Sequence, residues 1–235
     1  MRTESDGTDH LPAVARGYHH AVSFTGFDPD ALAFYAELRQ NNTKEWWAAH
    51  RARFDERVAA PFEQLAGALA DEFGEVKVFR PYRDVRFSAD KSPYKLQIGM
   101  VTRSSPAHYI QLSEEGLLTG GGSYDVPAAA LARFRELVDD PGPAGRLQRV
   151  LDELDRRGFT PMTDGALRTA PRGYRADHPR IELLRLRRLA VGRHDEPAEW
   201  MWSPEALDAV RERWRAVSLW CGWLSDNLEG RLTAR

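Results

Sequence analysis

The sequence predicts an α+β fold: a mainly antiparallel sheet of about four or five strands, packed with several α-helices and a long C-terminal amphipathic helix. Apolar residues recur every three to four positions towards both ends of the chain, which is typical of helices. Residues 76–118 instead alternate or form short apolar runs, which is typical of strands. The 235 residues, 42% of them hydrophobic, suffice to bury a large shared core.

The N-terminal third is expected to hold two helices. Asp28 and Pro29 form an N-cap and first-turn pair that opens the first helix. Thr43 can cap the second, whose apolar positions continue to Leu69. Pro61 lies inside this pattern, and because it lacks an amide hydrogen we expect a kink there.

The middle of the chain is predicted to be extended. Residues 76–79 alternate, and residues 96–102 form a short apolar run. The residues around Tyr109 lead through Ser113-Glu114-Glu115-Gly116 into a further apolar pair, which is typical of a hairpin. Gly120-Gly121-Gly122 lacks the spacing of a dinucleotide fingerprint and the lysine of a phosphate loop, so we interpret it as a tight turn ending the last strand.

The C-terminal half is predicted to be helical, apart from an irregular stretch over residues 158–179. One helix opens at Val126 and stops at the Pro141-Gly142-Pro143 segment, a second follows from about residue 144, and a short one contains Ile181. The clearest helix runs from Ser203 to about residue 228, with an apolar stripe that faces the body of the protein.

The domain organisation is expected to be simple. Residues 1–23 carry no apolar period and are predicted to be a flexible N-terminal tail. Residues 24–235 contain no internal repeat and are predicted to form a single α+β domain.

Composition excludes several classes of function. A net charge of −2 argues against a surface that is basic all over, as for a general nucleic-acid or lipid binder. The single cysteine, Cys221, excludes an internal disulfide and a cysteine-based zinc site, and the histidines lack metal-ligand spacing, so no metal is predicted. No leader-like or membrane-spanning apolar segment is recognised, so we expect a cytoplasmic protein without a membrane partner.

Positive charge is concentrated in two stretches of the chain. Residues 80–95 carry a net +3 together with three aromatic side chains, and residues 168–193 carry a net +6. The remaining residues therefore carry −11. Forked arginine donors suit phosphate and carboxylate groups, so this pattern predicts an anionic pocket.

The predicted ligand contacts come from both stretches. Arg83, Arg86, Lys91, Lys95 and Arg172 would supply positive charge, Tyr94 and Tyr174 would frame the ligand, and Asp84 and Asp90 would hold the cations in place. The alternative is that these charges form ion pairs that pin a loop, or a solvated helix face.

Several segments resemble a known protein family. They are Phe24-Thr25-Gly26-Phe27, the Asn41 to Trp47 segment, the Arg83 to Lys95 segment, Pro171-Arg172-Gly173-Tyr174 and Asp177-His178-Pro179. Over roughly residues 24–228 the chain resembles the bacterial and fungal proteins catalogued as domain of unknown function 2461. The resemblance implies an α+β fold and assigns no activity or cofactor. Arg168 and Arg187 stand where the family often has lysine, which puts chemistry that needs an amine there in doubt.

The resembling motifs extend the candidate site. They include both cationic stretches together with Asn42 and Lys44, so we expect these residues to meet in one cleft and to contact the ligand. His178 is the only histidine in the motifs and the candidate for proton transfer, with Asp177 or Asp84 to orient it. The alternative is that His178 is a helix-entry residue.

The sequence therefore predicts an anion-selective pocket for a small phosphorylated or carboxylated ligand, with no reaction or cofactor identified. The alternative function is a non-enzymatic interaction module, whose basic surface docks an acidic protein or, less favoured, a nucleic-acid backbone. A third alternative is that the central motif is a structural staple. Convergence of the side chains on a concave site would favour the pocket, and a flat basic strip would favour the module.

Overall fold

A computed structural model describes residues 23–86, 88–228 and 230–232, so the predicted tail lies outside them apart from Ser23. The described residues form one antiparallel sheet with the order β1-β2-β3-β4-β6-β5. Its strands are β1 Val76–Val78, β2 Gln97–Thr102, β3 Ala107–Ser113, β4 Gly116–Ser123, β5 Thr160–Pro161 and β6 Leu189–Asp195. The predicted α+β class is confirmed, with six strands instead of four or five.

The helices precede and follow the central strands. They are α1 Asp30–Gln40, α2 Lys44–Arg53, α3 Ala60–Phe73, α4 Ala128–Asp139, α5 Pro141–Arg156, α6 Ile181–Arg185 and α7 Glu205–Leu228, with a 3₁₀ turn at Glu199–Trp202. None of these helices is both long and apolar enough to cross a membrane.

The capping residues act as expected at the first two helices. An Asp28 carboxylate oxygen accepts the Asp30 amide hydrogen at 2.9 Å, and the Thr43 hydroxyl accepts that of Trp46 at 3.2 Å. The kink expected at Pro61 is replaced by a π-helical turn, Phe54–Ala59, which joins α2 to α3. This wider turn absorbs the irregularity next to the proline without breaking the helix.

Helix α4 ends at Asp139, so it stops before the Pro141-Gly142-Pro143 segment as expected. The segment itself is the first turn of α5, which therefore begins three residues earlier than predicted. The Asp140 carboxylate accepts the Gly142 amide hydrogen at 2.9 Å and caps the new helix. A proline lacks only an amide hydrogen that has no helical partner in a first turn, so this position suits it.

The hairpin prediction is confirmed, because Ser113 pairs with Gly116 and leaves a two-residue turn between β3 and β4. The prediction for Gly120-Gly121-Gly122 is wrong: the triplet lies inside β4. A Cβ atom on Gly121 would lie 2.4 Å from the Ala107 carbonyl oxygen and 2.7 Å from a Val217 methyl group on α7. The glycines therefore allow β4 to pack closely against its neighbours.

The strand β6 was not predicted. Its first three residues are all buried, so it lacks the alternation that marks a strand in sequence. It lies next to β4 in the sheet, with Gly120 paired to Gly192 across 72 positions of the chain. Pairing over such a distance depends on the tertiary fold.

The long helix α7 packs against the centre of the sheet and contributes to two hydrophobic clusters. Val210 and Trp214 join the cluster formed with α1, α2 and α3. Val217, Trp220 and Leu224 join the cluster formed with α4, α5 and β6. This arrangement covers one face of the sheet and leaves the side chains of the other face available for a site.

Candidate functional site

A trough of about 700 Å³ crosses the sheet on the face opposite α7. The alternation along β3 defines this face: Ala107, Tyr109 and Gln111 line the trough, whereas His108 and Ile110 are buried towards the helices. The trough is therefore formed mainly by the central strands, whereas the sequence placed the site on the two cationic stretches.

The floor of the trough is made of very small residues. Gly120 and Gly122 on β4, Gly192 and Ala190 on β6, and Ala107 on β3 all line it. These positions carry at most one methyl group, so the cavity comes from the absence of side chains over the centre of the sheet. A ligand could approach the backbone closely here.

The walls combine aromatic, amide and carboxylate side chains. They include Phe79, Gln97, Tyr109, Gln111, Tyr124, Asp125 and Asp164. The Tyr109 hydroxyl donates to Gln111 Oε1 at 2.7 Å. Burial, with a smaller contribution from Tyr124, raises the pKa of Tyr109 to about 12. Tyr109 therefore stays protonated at neutral pH and keeps its hydrogen-bond donor.

Two lysines lie beside the Phe79 end of the trough. Lys95 Nζ lies 5.3 Å from the centroid of the Phe79 ring and donates to the Arg80 carbonyl oxygen at 2.9 Å. Lys77 pairs with Val101, which lines the trough, and directly opposite residues share a face. Burial lowers the pKa of Lys95, and the positive charge of Lys77 lowers it further.

No carboxylate within the described part of the chain forms an ion pair with Lys77 or Lys95. Two like charges without a carboxylate partner create a positive potential at this end of the trough. An anionic group of a ligand would be stabilised here.

The other end of the trough carries a cation from the second stretch. The Arg188 guanidinium carbon lies 3.9 Å above the ring centroid of Tyr124, which lines the trough beside Asp125. Each cationic stretch thus contributes one cation next to an aromatic wall residue, Lys95 over Phe79 and Arg188 over Tyr124.

The predicted site residues of the first stretch lie mainly in a loop that packs against α2. Tyr94 is 5% exposed and stacks on Trp47, with ring centroids 4.1 Å apart and planes 10° apart. The Asn42 amide nitrogen donates to the Tyr94 carbonyl oxygen at 2.9 Å, and its amide oxygen accepts the Tyr94 amide hydrogen at 3.1 Å. Asn42 and Tyr94 therefore anchor this loop and do not line the trough.

The arginines of this loop form ion pairs within it. Arg83 pairs with Asp90, and Arg86 lies 2.6 Å from Asp84. The hydrogen bonds from these guanidinium groups lower the pKa of both carboxyl groups. The two aspartates hold the cations as expected, but none of the four residues lines the trough.

Three further predicted cations also lie away from the trough lining. Lys91 Nζ donates to the Val85 carbonyl oxygen at 3.0 Å and so closes the loop. Lys44 is exposed at the first residue of α2, and Arg172 is exposed in the segment before α6. The structure thus keeps Lys95 as the one predicted cation that lies against a wall residue of the trough.

The environment of His178 differs from the expected one. Its Nε2 lies 3.2 Å from an Asp139 carboxylate oxygen at the end of α4, and its Nδ1 accepts the Arg180 amide hydrogen at 3.0 Å. The expected orienting acids have other partners, because Asp177 pairs with Arg175 and the carboxylate of Asp84 is held within its own loop. These contacts suit a residue that organises the entry to α6.

Tyr174 belongs to the same region. It is partly buried against the cluster formed by α4, α5 and β6, and its amide hydrogen is donated to the Pro171 carbonyl oxygen at 3.1 Å. Burial raises its pKa, and the nearby charge of Asp139 contributes in the same direction. Tyr174 does not line the trough.

Sequence reasoning missed most of the trough residues. Tyr109 and Gln111 were interpreted only as part of a hairpin, although their alternation with buried residues marks them as one exposed face. Lys77 and Arg188 could have been suspected as cations near aromatic residues, but only strand pairing brings them to the trough.

The described residues do not bring three His, Cys, Asp or Glu side chains together as a metal site requires. The groups that the trough offers a ligand are aromatic rings, amides, carboxylates and the flanking cations. This set favours binding of an organic ligand through stacking, hydrogen bonds and charge.

Comparison with known proteins identifies one family. The family model described as "Conserved hypothetical protein (DUF2461)" matches residues 30–223, from α1 into the last turns of α7. No curated protein and no solved structure matches the chain. The match covers well over half of the chain and confirms the family that the motifs resemble, so the protein belongs to the DUF2461 family.

Proposed function

We propose that the protein binds a small ligand bearing a phosphate or carboxylate group in the trough, with the anion beside Lys77 and Lys95. The observation that carries this proposal is a concave site whose Phe79 wall lies against Lys95, with Lys77 nearby. Neither lysine forms an ion pair with a carboxylate in the described residues. We place this function in the cytoplasm because the chain holds a single cysteine, Cys221, and therefore no internal disulfide.

The size and surface of the trough support a small ligand. Its volume of about 700 Å³ lies within the range of ligand pockets, which is roughly 300 to 1,000 Å³. Mostly apolar walls with a few polar groups are typical of such pockets. The trough is also concave, and among the predicted cations Lys95 lies against one of its walls. The other predicted ligand contacts do not converge on it, so the support for a pocket comes from the trough and the lysines alone.

The position of the anion follows from charge compensation. At Arg83 and Arg86 an incoming anion would have to displace the carboxylates of Asp90 and Asp84. At Lys95 it would displace only a backbone carbonyl oxygen, and partial burial strengthens the attraction. The anion therefore gains more at the lysine end of the trough than on the loop.

Two pairs of variants test this proposal. Lys77→Gln combined with Lys95→Gln removes the positive charge, and Arg146→Gln, on the exposed face of α5, is the control for charge. Gly192→Leu fills the trough, because a Cβ atom there meets no heavy atom closer than 3.4 Å. Gly222→Leu adds the same side chain at an exposed position on α7 with no heavy atom within 4 Å.

The measurement is a thermal-shift and calorimetric titration with inorganic phosphate, sugar phosphates, nucleoside monophosphates and di- and tricarboxylates. A compound present at 100 times its Kd stabilises the wild type by about 2.7 kcal/mol, which raises the Tm by about 5 to 10 °C. We expect this shift to disappear in the lysine double variant and in Gly192→Leu, and to persist in both controls.

Two outcomes would overturn the proposal. In one, a bound anion is retained by both trough variants and lost in Arg83→Gln or Arg86→Gln, which would place binding on the loop. In the other, only polyanions bind, with an affinity that falls steeply with salt, which would support the interaction module.

A further inference from the structure

We infer that the ligand of the trough carries a planar nitrogen heterocycle of the nucleobase class, whose ring lies against Phe79 and Tyr109 and whose edge is recognised by Gln111 and Gln97. This inference rests on the proposed function, because it assigns chemistry to the part of the ligand that the lysines do not hold. A nucleoside monophosphate combines both parts.

The aromatic wall supports a flat ligand. The ring centroids of Phe79 and Tyr109 lie 6.3 Å apart, and their planes are inclined by 41°. Both side chains line the trough and are only partly buried, so ring surface is available to a ligand. Stacking of a base on such an aromatic surface is favourable for every nucleobase, because each has a π-face.

The glycine floor lets a flat ring approach the sheet. Gly120 and Gly122 lie opposite Tyr109 and Ala107 on the neighbouring strand, and neither glycine adds a side chain to the floor of the trough. A Cβ atom at either glycine would lie within 2.3 Å of a β6 carbonyl oxygen, so the packing of the strands requires glycine there. The flat floor is therefore a built-in property of the sheet.

The amide groups supply hydrogen bonds at the edge of such a ring. Gln111 Oε1 accepts the Tyr109 hydroxyl hydrogen, and within the described residues Gln111 Nε2 has no hydrogen-bond partner. Gln111 thus offers two donors, the Tyr109 oxygen remains an acceptor, and Gln97 adds a second amide on the same side of the sheet. Amide groups of this kind can pair with the donors and acceptors along the edge of a nucleobase, whereas a sugar phosphate presents hydroxyl groups in several directions.

The charged end lies where a nucleotide needs it. Lys95 is 5.3 Å from the centroid of the Phe79 ring, so a base stacked on this wall has an ammonium group within reach of its phosphate. The same residue therefore links the anion site of the proposed function to the aromatic wall.

Calorimetric titration of the full chain with AMP, GMP, CMP and UMP tests the inference, with ribose 5-phosphate and inorganic phosphate as probes that lack a base. We expect at least one nucleotide to bind about tenfold or more tightly than ribose 5-phosphate. Gln111→Leu and Tyr109→Phe should each weaken nucleotide binding by about tenfold or less and leave ribose 5-phosphate binding unchanged.

Matched variants outside the trough control for the chemistry of the substitutions. Gln40→Leu removes an exposed amide at the end of α1, and Tyr82→Phe removes a hydroxyl group from a ring that is 51% exposed. Both should bind nucleotides like the wild type. If Gln111→Leu does not fold, Gln111→Met removes the amide while keeping a side chain of the same length.

The outcomes separate the inference from the proposed function. Ribose 5-phosphate that binds as tightly as the nucleotides, with dependence on Lys95, overturns the inference and supports the proposed function. Nucleosides that bind with dependence on Gln111, while no phosphate compound needs the lysines, overturn the anion site and support the inference. Absence of binding by every phosphate compound and nucleoside overturns the inference, and absence of binding by the di- and tricarboxylates as well overturns the proposed function.

Discussion

Replacing His108 with leucine is expected to remove a pH-dependent loss of stability that reaches about 3 kcal/mol between pH 7 and pH 4. His108 lies on the helix-facing side of β3 and is 9% exposed. Its ring centroid lies 5.2 Å from that of Phe73 and 5.5 Å from that of Trp214. Its Nε2 lies 2.8 Å from the Ser218 hydroxyl oxygen, and its Nδ1 is buried without a partner in the described residues.

This environment disfavours the charged imidazolium. Burial lowers the pKa of His108 from 6.5 to about 4. Hydrogen bonding with the Trp214 backbone raises the pKa and offsets only part of this effect. As the pH falls below 6.5, the unfolded chain binds a proton that the folded protein does not bind. The stability of the folded protein is therefore unaffected by protonation of His108 above pH 6.5. It decreases as the pH falls from 6.5 through about 4, the pKa of His108 in the folded state. The interval between the two pKa values corresponds to about 3 kcal/mol.

The assay is urea unfolding followed by tryptophan fluorescence at pH 7, 6, 5 and 4, in the wild type and in His108→Leu. Leucine leaves Ser218 satisfied, because its hydroxyl donates to the Trp214 carbonyl oxygen at 3.0 Å. Between pH 7 and pH 4 the unfolding free energy of the wild type should fall by about 3 kcal/mol more than that of His108→Leu. His194→Leu, at an exposed position of β6, should follow the wild type.

A constant difference between the wild type and His108→Leu across this pH range would refute the reasoning. It would mean that the folded protein binds the proton as readily as the unfolded chain. Water or a rearranged partner would then have to reach Nδ1 in the folded state.

Two further substitutions and one labelling reaction test how the protein is packed. Asn42→Ala should lower the unfolding free energy by about 1 to 3 kcal/mol in urea titrations, because both hydrogen bonds to the Tyr94 backbone are lost; an unchanged midpoint would contradict the anchoring role. Gly121→Ala should lower the Tm and cost about 1 to 3 kcal/mol or more, since its Cβ atom would lie 2.4 Å from the Ala107 carbonyl oxygen. The Cys221 thiol should react with a disulfide reagent at neutral pH only after unfolding, because burial raises its pKa to about 12; rapid labelling of the folded protein would count against this burial.

Local signals explain why the helices could be predicted well. Thr43 caps α2 through a hydrogen bond to a residue three positions away, and the apolar stripe of α7 recurs at helical spacing. Both are properties of neighbouring residues, so the sequence contains them. The hairpin between β3 and β4 is equally local, because its turn has two residues.

The candidate site was predicted only in part. The concentration of charge points to the segment ending at Lys95, but within that segment Arg83 and Arg86 are compensated by aspartates nearby in the chain. Charge counted along the sequence does not show which cations keep a carboxylate partner after folding. For the same reason, the pairing of His178 with Asp139 on α4 could not be predicted from the acids beside it.

The amino-acid sequence alone established the α+β class, the helices and the family to which the chain belongs. Folding established the trough, because its floor forms only when β6 pairs with β4 and brings Gly192 opposite Gly120. It also established which charges border the trough, since Lys77 and Arg188 reach it from distant parts of the chain. Helix signals depend on contacts within a few residues, whereas a sheet face and the groups around it depend on pairing between strands far apart in sequence.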